Sequence, residues 1–327
     1  MAGNPASPVL SRTIATADLF INRLRACPFP NELRRFSGNQ LMIKLCRFTT
    51  GSTSPLPGLF LSDDHVLDLS TTGITNLTQI LEAEDPAATA RELARIEAPS
   101  FATSDITFLS PLDQQEVWAA GVTYLRSKTA RMDESDFSAS AYDRVYDAAR
   151  PEIFFKSLAE KTVPTLGEVG IRADGKWNVP EPELALVVNS RGEIAGYSIG
   201  NDMSSRDIEG ENLLYLPQAK VYRNSCAFGP CIVVGVTEDE VRTWKISIRI
   251  DRGDQTLFSG ETGISQIKRS FTELAEYLCR SQDFPNGAAL LTGTGVVPPD
   301  DFTLVENDLV TIDIEGIGEL TNRVAIV

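Results

Sequence analysis

The sequence predicts an α+β chain that is mainly β. Ile246, Ile248 and Ile250 alternate with polar neighbours, and Val310, Ile312 and Ile314 do the same, which is the period of two expected of half-buried strands. Residues 42–70 read as short apolar runs separated by polar turns. Helical periodicity is restricted to short segments, the clearest carrying Ile264, Ile267, Phe271, Leu274 and Leu278 at spacings of three and four.

Composition narrows the functional classes. The chain has 327 residues, enough for one large domain or a large and a small one. Its formal charge of −15 disfavours nucleic-acid binding, which needs a basic footprint. No apolar stretch approaches the roughly 20 residues of a membrane span, so no membrane partner is expected. Cys27, Cys46, Cys226, Cys231 and Cys279 are odd in number and form no Cys-x-x-Cys pair, which reads as reduced thiols in a cytoplasmic protein. The single histidine, His65, sits in a polar turn, Ser62-Asp63-Asp64-His65-Val66. One histidine excludes a His-rich zinc site and would make any Ser-His-Asp triad depend on His65 alone.

In chain order, residues 1–41 carry Arg12, Arg23, Arg25, Arg34 and Arg35 against Asp18 and Glu32, without the apolar core of a secretory signal. They are expected to be a poorly packed extension, either a transit peptide or the result of an upstream start codon ahead of Met42. Residues 42–112 are expected to form a small N-terminal α+β domain. Its strands fall at 42–48, 58–61 and 66–69, and its helix is capped by Asp85, opens on Pro86 and runs to about 97. Residues 113–327 form the larger domain, entered through a strand at 116–120. The turn Gly121-Val122-Thr123-Tyr124 leads into a helix to about 136 and a second near 139–149. The strand at 150–156 puts Glu152, Phe154 and Lys156 on one face. An acid and a lysine there suit acid–base work or anion binding, and equally an exposed ion pair.

The stretch 177–188 is the most informative. Glu181 and Glu183 precede an apolar β-branched run, and in a strand they share a face. Two carboxylates held so close repel unless a cation lies between them, and a hard divalent ion, Mg²⁺, Mn²⁺ or Ca²⁺, suits oxygen ligands. The competing reading is a solvated strand edge with Pro182 at an edge or bulge. Residues 194–202 return as a hairpin partner ending on Asp202, which places a third carboxylate near the first two. A helix over 204–210, a loop over 212–217 and a Gly229-Pro230 turn into a strand at 231–234 follow. Leu291-Thr292-Gly293-Thr294-Gly295-Val296 runs into a glycine-rich turn of the kind that brings backbone N–H groups near an anion. Cys226 and Cys231 read as buried small hydrophobes rather than a redox pair.

Taken together these stretches resemble the fumarylacetoacetate hydrolase superfamily over roughly residues 42–327. The shared pattern is the Gly121 turn, Pro-x-x-Phe-x-Lys at 151–156, Glu-x-Glu at 181–183, Asp202 before Ser-x-Arg-Asp, a lysine ahead of a Gly-Pro turn, and Thr-Gly-Thr at 292–294. The resemblance implies a mixed β-sandwich roll with a small N-terminal β domain, usually a homodimer. It also implies Mg²⁺ or Mn²⁺ on Glu181, Glu183 and Asp202, and a 2-oxo acid substrate whose carboxylate meets the Thr294 turn. Hydrolases of the superfamily often carry an Asp-His after the Gly-x-x-Tyr turn, whereas here the chain continues Tyr124-Leu125-Arg126-Ser127.

Within the superfamily the chain resembles the 2-keto-3-deoxy-D-arabinonate, or xylonate, dehydratases. The matching segments are 121–124, 150–156, 177–183, 206–212, 215–220 and 226–230. That resemblance implies Lys220 as base and Glu152 as acid in forming 2,5-dioxopentanoate. Tyr124, Arg126, Lys156, Asn212 and Thr294 are the expected substrate contacts. The alternatives are an acylpyruvate-type C–C hydrolase, an oxo-acid decarboxylase or tautomerase of the same superfamily, and a non-catalytic 2-oxo acid binding protein.

Overall fold

Aliphatic and β-branched runs carry the chain into eighteen strands among the described residues. The first five are β1 (Ile43–Thr49), β2 (Leu56–Ser62), β3 (His65–Asp68), β4 (Ser100–Ala102) and β5 (Thr107–Leu109). Then follow β6 (Glu116–Gly121), β7 (Glu152–Ser157), β8 (Glu168–Ile171), β9 (Asn178–Val179), β10 (Pro182–Val188), β11 (Ile194–Asp202) and β12 (Ser204–Ser205). The last six are β13 (Cys226–Val234), β14 (Lys245–Arg252), β15 (Gln255–Gly263), β16 (Ala288–Leu291), β17 (Leu309–Ile314) and β18 (Gly318–Ile326). The computed structural model describes residues 42–51, 54–124 and 145–327. The expected extension over 1–41, the helix to about 136 and most of the one near 139–149 lie outside the described residues.

The mainly β expectation holds. One large mixed sheet runs β4-β3-β2-β1-β13-β11-β10-β16-β6-β7, with β5 added on β1. A five-stranded sheet, β15-β14-β17-β18-β8, and the small pair β12-β9 complete the architecture. Strands β1–β5 join the rest directly, because β1 pairs antiparallel with β13. The sheets are mixed because β16 runs parallel to β6 and β18 parallel to β8.

Burial explains the sequence pattern of the central strands. Every residue of β10 is buried. Leu184, Leu186 and Val188 join the core between the large sheet and the five-stranded one, which also holds Ile246, Ile248, Ile250, Val310, Ile312 and Ile314. Ala185 and Val187 point to the opposite core, beneath the helices Thr78–Leu81 and Pro86–Leu93. A strand covered on both faces reads as one apolar run rather than an alternation.

Local chemistry accounts for the helices, and for where they differ from expectation. Asp85 accepts from Ala88 N at 2.8 Å and caps the helix Pro86–Leu93. The amphipathic segment 264–278 is not one helix: Ile264–Gln266 is a 3₁₀ turn and the α-helix is Phe271–Cys279. Ser270 starts that helix by accepting from Glu273 N at 3.1 Å, while Ile267 bridges to Tyr124 and Lys268 N donates to Thr123 O. All five apolar residues are buried nonetheless. The expected loop at 212–217 is also helical, a 3₁₀ turn Leu213–Tyr215 capped by Asn212 and then the helix Leu216–Lys220, with Pro217 tolerated in its first turn. Gly229-Pro230 is not a turn between elements, since β13 passes through it. The register against β11 slips there, from Gly229 opposite Ile199 to Val233 opposite Tyr197, and such an irregularity is where a strand accommodates proline.

Because β10 is packed on both faces, shortening a central side chain leaves a void that neither layer can easily fill. Leu186→Ala is expected to lower unfolding stability by about 2–5 kcal/mol, read as a shifted urea midpoint at unchanged slope.

Candidate active site

The antiparallel β10–β11 hairpin brings the three carboxylates together. Asp202 N donates to Glu181 O at 3.0 Å, and Glu183 lies opposite Gly200, so the ends of the two strands are in register. One oxygen each from Glu181, Glu183 and Asp202 lie within 4.8 Å of one another, and all three residues are buried. The solvated-edge reading of the Glu-Pro-Glu segment is therefore wrong.

Two lysines and a backbone amide hold these charges. Lys220 Nζ donates to Glu181 Oε2 at 2.8 Å, Asp202 Oδ2 at 3.1 Å and Ser204 Oγ at 2.5 Å. Lys156 pairs with the other oxygen of Asp202. Gly293 N donates to Glu183 Oε2 at 2.5 Å, so the glycine-rich turn addresses a protein carboxylate. Burial, and next the charges of Asp202 and Glu181, raise the Glu183 carboxyl well above the usual range, with Lys220 and the Gly293 amide opposing.

Glycine is needed at two of these points. A Cβ on Gly121 would overlap the Glu152 carboxylate across the β6–β7 pair. Gly293 has φ +86°, and a Cβ there would strike the Thr123 side chain. Thr123 Oγ1 itself donates to Thr292 O at 2.5 Å, locking the two turns together. Between Gly121 and Thr123, Val122 has φ 55°, a left-handed conformation that is strained for a β-branched residue.

A single cleft collects most of the expected site residues. Glu152, Glu181, Glu183, Asp202, Lys220 and Thr294 all line it. Tyr124 is buried behind the wall, its ring against Gly295. Lys156 is fully buried behind Asp202. Asn212 is half-buried, accepts from Leu214 N at 3.0 Å and is not among the cleft residues. Arg126 lies outside the described residues.

Arg206 and Glu209 also line the cleft, and sequence reasoning gave them no role. They lie one turn apart on the helix Arg206–Glu211, and both are buried. Arg206 Nε lies 3.6 Å from Glu181 Oε1, with its guanidinium 5.7 Å from the Trp177 ring centre. The i, i+3 spacing after Asp202 was the available signal; their burial was not visible.

The donor set fits a hard divalent cation. Among the described residues, five carboxylates (Glu152, Glu181, Glu183, Asp202, Glu209) meet three cationic groups (Arg206, Lys220, Lys156) in or directly behind the cleft. The oxygen ligands of Glu181, Glu183 and Asp202 suit a hard ion such as Mg²⁺ or Ca²⁺.

Comparisons with known proteins agree with this architecture. Residues 116–325 match the family described as Fumarylacetoacetate (FAA) hydrolase C-terminal. A Haloferax volcanii protein, "Probable 2-keto-3-deoxyxylonate dehydratase", is 48% identical over 217 residues, 66% of this chain and 74% of its own length. The 2-dehydro-3-deoxy-D-arabinonate dehydratase of Saccharolobus solfataricus is 40% identical over 231 residues, 69% of this chain and 76% of its own. The structure of a 2-keto-3-deoxy-D-arabinonate dehydratase complexed with magnesium and 2,5-dioxopentanoate superposes with a TM-score of 0.73 at 32% identity, covering 87% of this chain and 99% of that one. The chain belongs to the fumarylacetoacetate hydrolase family.

Two substitutions test the assembly. Glu183→Ala is expected to abolish saturable Mg²⁺ binding in calorimetry while the far-UV circular dichroism is retained. Gly293→Ala, which moves the amide that holds Glu183, is expected to weaken Mg²⁺ binding without abolishing it. An unaltered isotherm for Glu183→Ala would refute the ligand assignment.

Proposed function

We propose that the protein is a Mg²⁺-dependent dehydratase that converts a 2-keto-3-deoxy pentonic acid, the arabinonate/xylonate type, to 2,5-dioxopentanoate. The observation that carries this reading is that one cleft holds an oxygen-only metal triad together with a separate acid, Glu152, and amine, Lys220. The relatives named for this chemistry, and the neighbour carrying magnesium and 2,5-dioxopentanoate, support it.

The residues divide the work by position. Glu181, Glu183 and Asp202 would hold Mg²⁺, which when bound would polarise the 2-oxo acid and acidify its C3 hydrogens. Lys220 would take a C3 proton as its neutral amine, a form that Mg²⁺ held by Glu181 and Asp202 would favour by countering the carboxylates that stabilise its ammonium. Glu152, as the protonated acid, gives its proton to the C4 hydroxyl, which leaves as water. A proton then shifts from C5 to C3, and the resulting enol becomes the C5 aldehyde, so that one water is lost overall. Thr294 lines the cleft where the substrate carboxylate would lie, and Arg206 and Glu209 offer polar groups to its hydroxyls. The absence of a histidine after Tyr124 removes the residue that a hydrolase would use to activate water.

We further propose a cytoplasmic, homodimeric enzyme. Cys46, Cys226, Cys231 and Cys279 are free thiols, in keeping with a reducing compartment. No helix among the described residues is long and apolar enough to cross a membrane.

The deciding assay follows 2,5-dioxopentanoate formation from the deoxy sugar acid with Mg²⁺, beside pyruvate release from an acylpyruvate. The first without the second is the expected result, and the reverse would sink the dehydratase reading in favour of C–C hydrolysis. Glu152→Gln and Lys220→Met are each expected to lower kcat by roughly 10²–10⁴-fold. Tight binding of a 2-oxo acid without turnover of any kind would instead mark a binding protein.

A further inference from the structure

We propose that Lys156 is a positioning residue: its ammonium fixes the carboxylate of Asp202 and the backbone from which Lys220 projects, and it does not itself hold the substrate. The proposal rests on the dehydratase reading and reassigns one residue within it.

An ammonium has three N–H donors and no acceptor. Lys156 Nζ has three oxygen partners, donating to Met203 O at 3.0 Å and Lys220 O at 2.5 Å and pairing with Asp202 Oδ1. Its side chain has no exposed surface, and the Tyr222 ring lies against it with its centre 6.0 Å from Nζ. Two donors are committed to backbone carbonyls and the charge is paired with Asp202, so a substrate carboxylate could be bound only by giving up one of these partners.

The partners belong to the two groups whose placement the chemistry needs. Asp202 offers Oδ1 to Lys156 and Oδ2 to Lys220, so Lys156 sets the rotation of that carboxylate. Lys220 O closes the helix Leu216–Lys220, where a carbonyl has no partner within the helix and a cation is well placed. Ser225 Oγ donates to the same carbonyl at 2.9 Å. Lys156 also shares its strand, β7, with Glu152. One strand therefore presents the acid to the cleft and braces both a metal ligand and the base from behind.

The test separates bracing from two rivals. In Lys156→Met, Mg²⁺ binding to the substrate-free protein is measured by calorimetry, and kcat and KM are measured at saturating Mg²⁺. Loss of an outer-shell partner typically costs about 10–100-fold in metal affinity or activity. A weakening of Mg²⁺ binding in that range, with kcat reduced and KM within about threefold of wild type, is the expected result. If Lys156 acted only as a counter-charge, removing it would leave the cleft more negative, so Mg²⁺ would bind more tightly. If it held the substrate, KM would rise with Mg²⁺ affinity intact. Either outcome, or no change, overturns the proposal.

Lys156→Gln keeps one N–H donor for the Lys220 carbonyl and carries the same expectation should the methionine variant not fold. Ser225→Ala touches that carbonyl but not Asp202, and is expected to leave Mg²⁺ affinity unchanged. Equal weakening there would reduce the effect to general loosening and would also overturn the proposal. The Mg²⁺ titrations need no substrate, so they decide the role of Lys156 even if the substrate class is wrong.

Discussion

The site depends on holding three buried carboxylates at the end of one hairpin. Like charges removed from water repel strongly and lose their hydration. The β10–β11 register imposes this arrangement regardless, because Asp202 N is bonded to Glu181 O and both strands are fixed by packing on their two faces. The backbone therefore decides the geometry, and the rest of the cleft is arranged to tolerate the charge. Lys220 bridges two of the carboxylates, Lys156 takes the remaining oxygen of Asp202, Arg206 approaches Glu181, and the Gly293 amide takes Glu183.

This compensation ties remote parts of the chain together. Glu183 is reached by a turn 110 residues later, and Lys156 reaches a carbonyl 64 residues away. The Gly121–Tyr124 turn is locked to the Gly293 turn through Thr123. The left-handed Val122 sits in that turn, beside the cleft. Strain at such a position persists only where the surroundings over-determine it, and here two hydrogen-bonded turns and a core-facing tyrosine do so.

Much of the fold was legible because its signals are local. A period of two marked β14 and β17, the Asp85-Pro86 pair marked a helix start, and the apolar β-branched run of β10 marked a strand. The carboxylate triad was legible for the same reason, since Glu181 and Glu183 differ by one strand period and Asp202 ends the next strand. The failures were tertiary. Ile264 and Ile267 fit the helical pattern of Phe271–Cys279 but are diverted by backbone pairing, Ile264 N with Trp244 O, Ile267 with Tyr124, and the next residue, Lys268, with Thr123 O. A Gly-Pro pair that ordinarily marks a turn was absorbed into β13 by a register slip against β11. Whether a charged residue is buried depends on what is folded over it, and neither Arg206 nor Glu209 carries that information in its neighbours.

The same division explains how one scaffold could serve several chemistries. The ion site is written into the hairpin, whose two strands are core elements and cannot move without disturbing both layers. The groups that would decide the reaction come from elsewhere: Glu152 from β7, Lys220 from a five-residue helix, and whatever follows Tyr124 from the segment after the strained turn. A hydrolase needs a group there to activate water, whereas elimination of water needs an acid and a base on the substrate's own carbons. This chain places a carboxyl, Glu152, and an amine, Lys220, in the cleft, and its sequence has no histidine after Tyr124. The side chain that would distinguish the two reactions is therefore one that the sequence lacks after Tyr124, beside a carboxylate triad that both reactions could share.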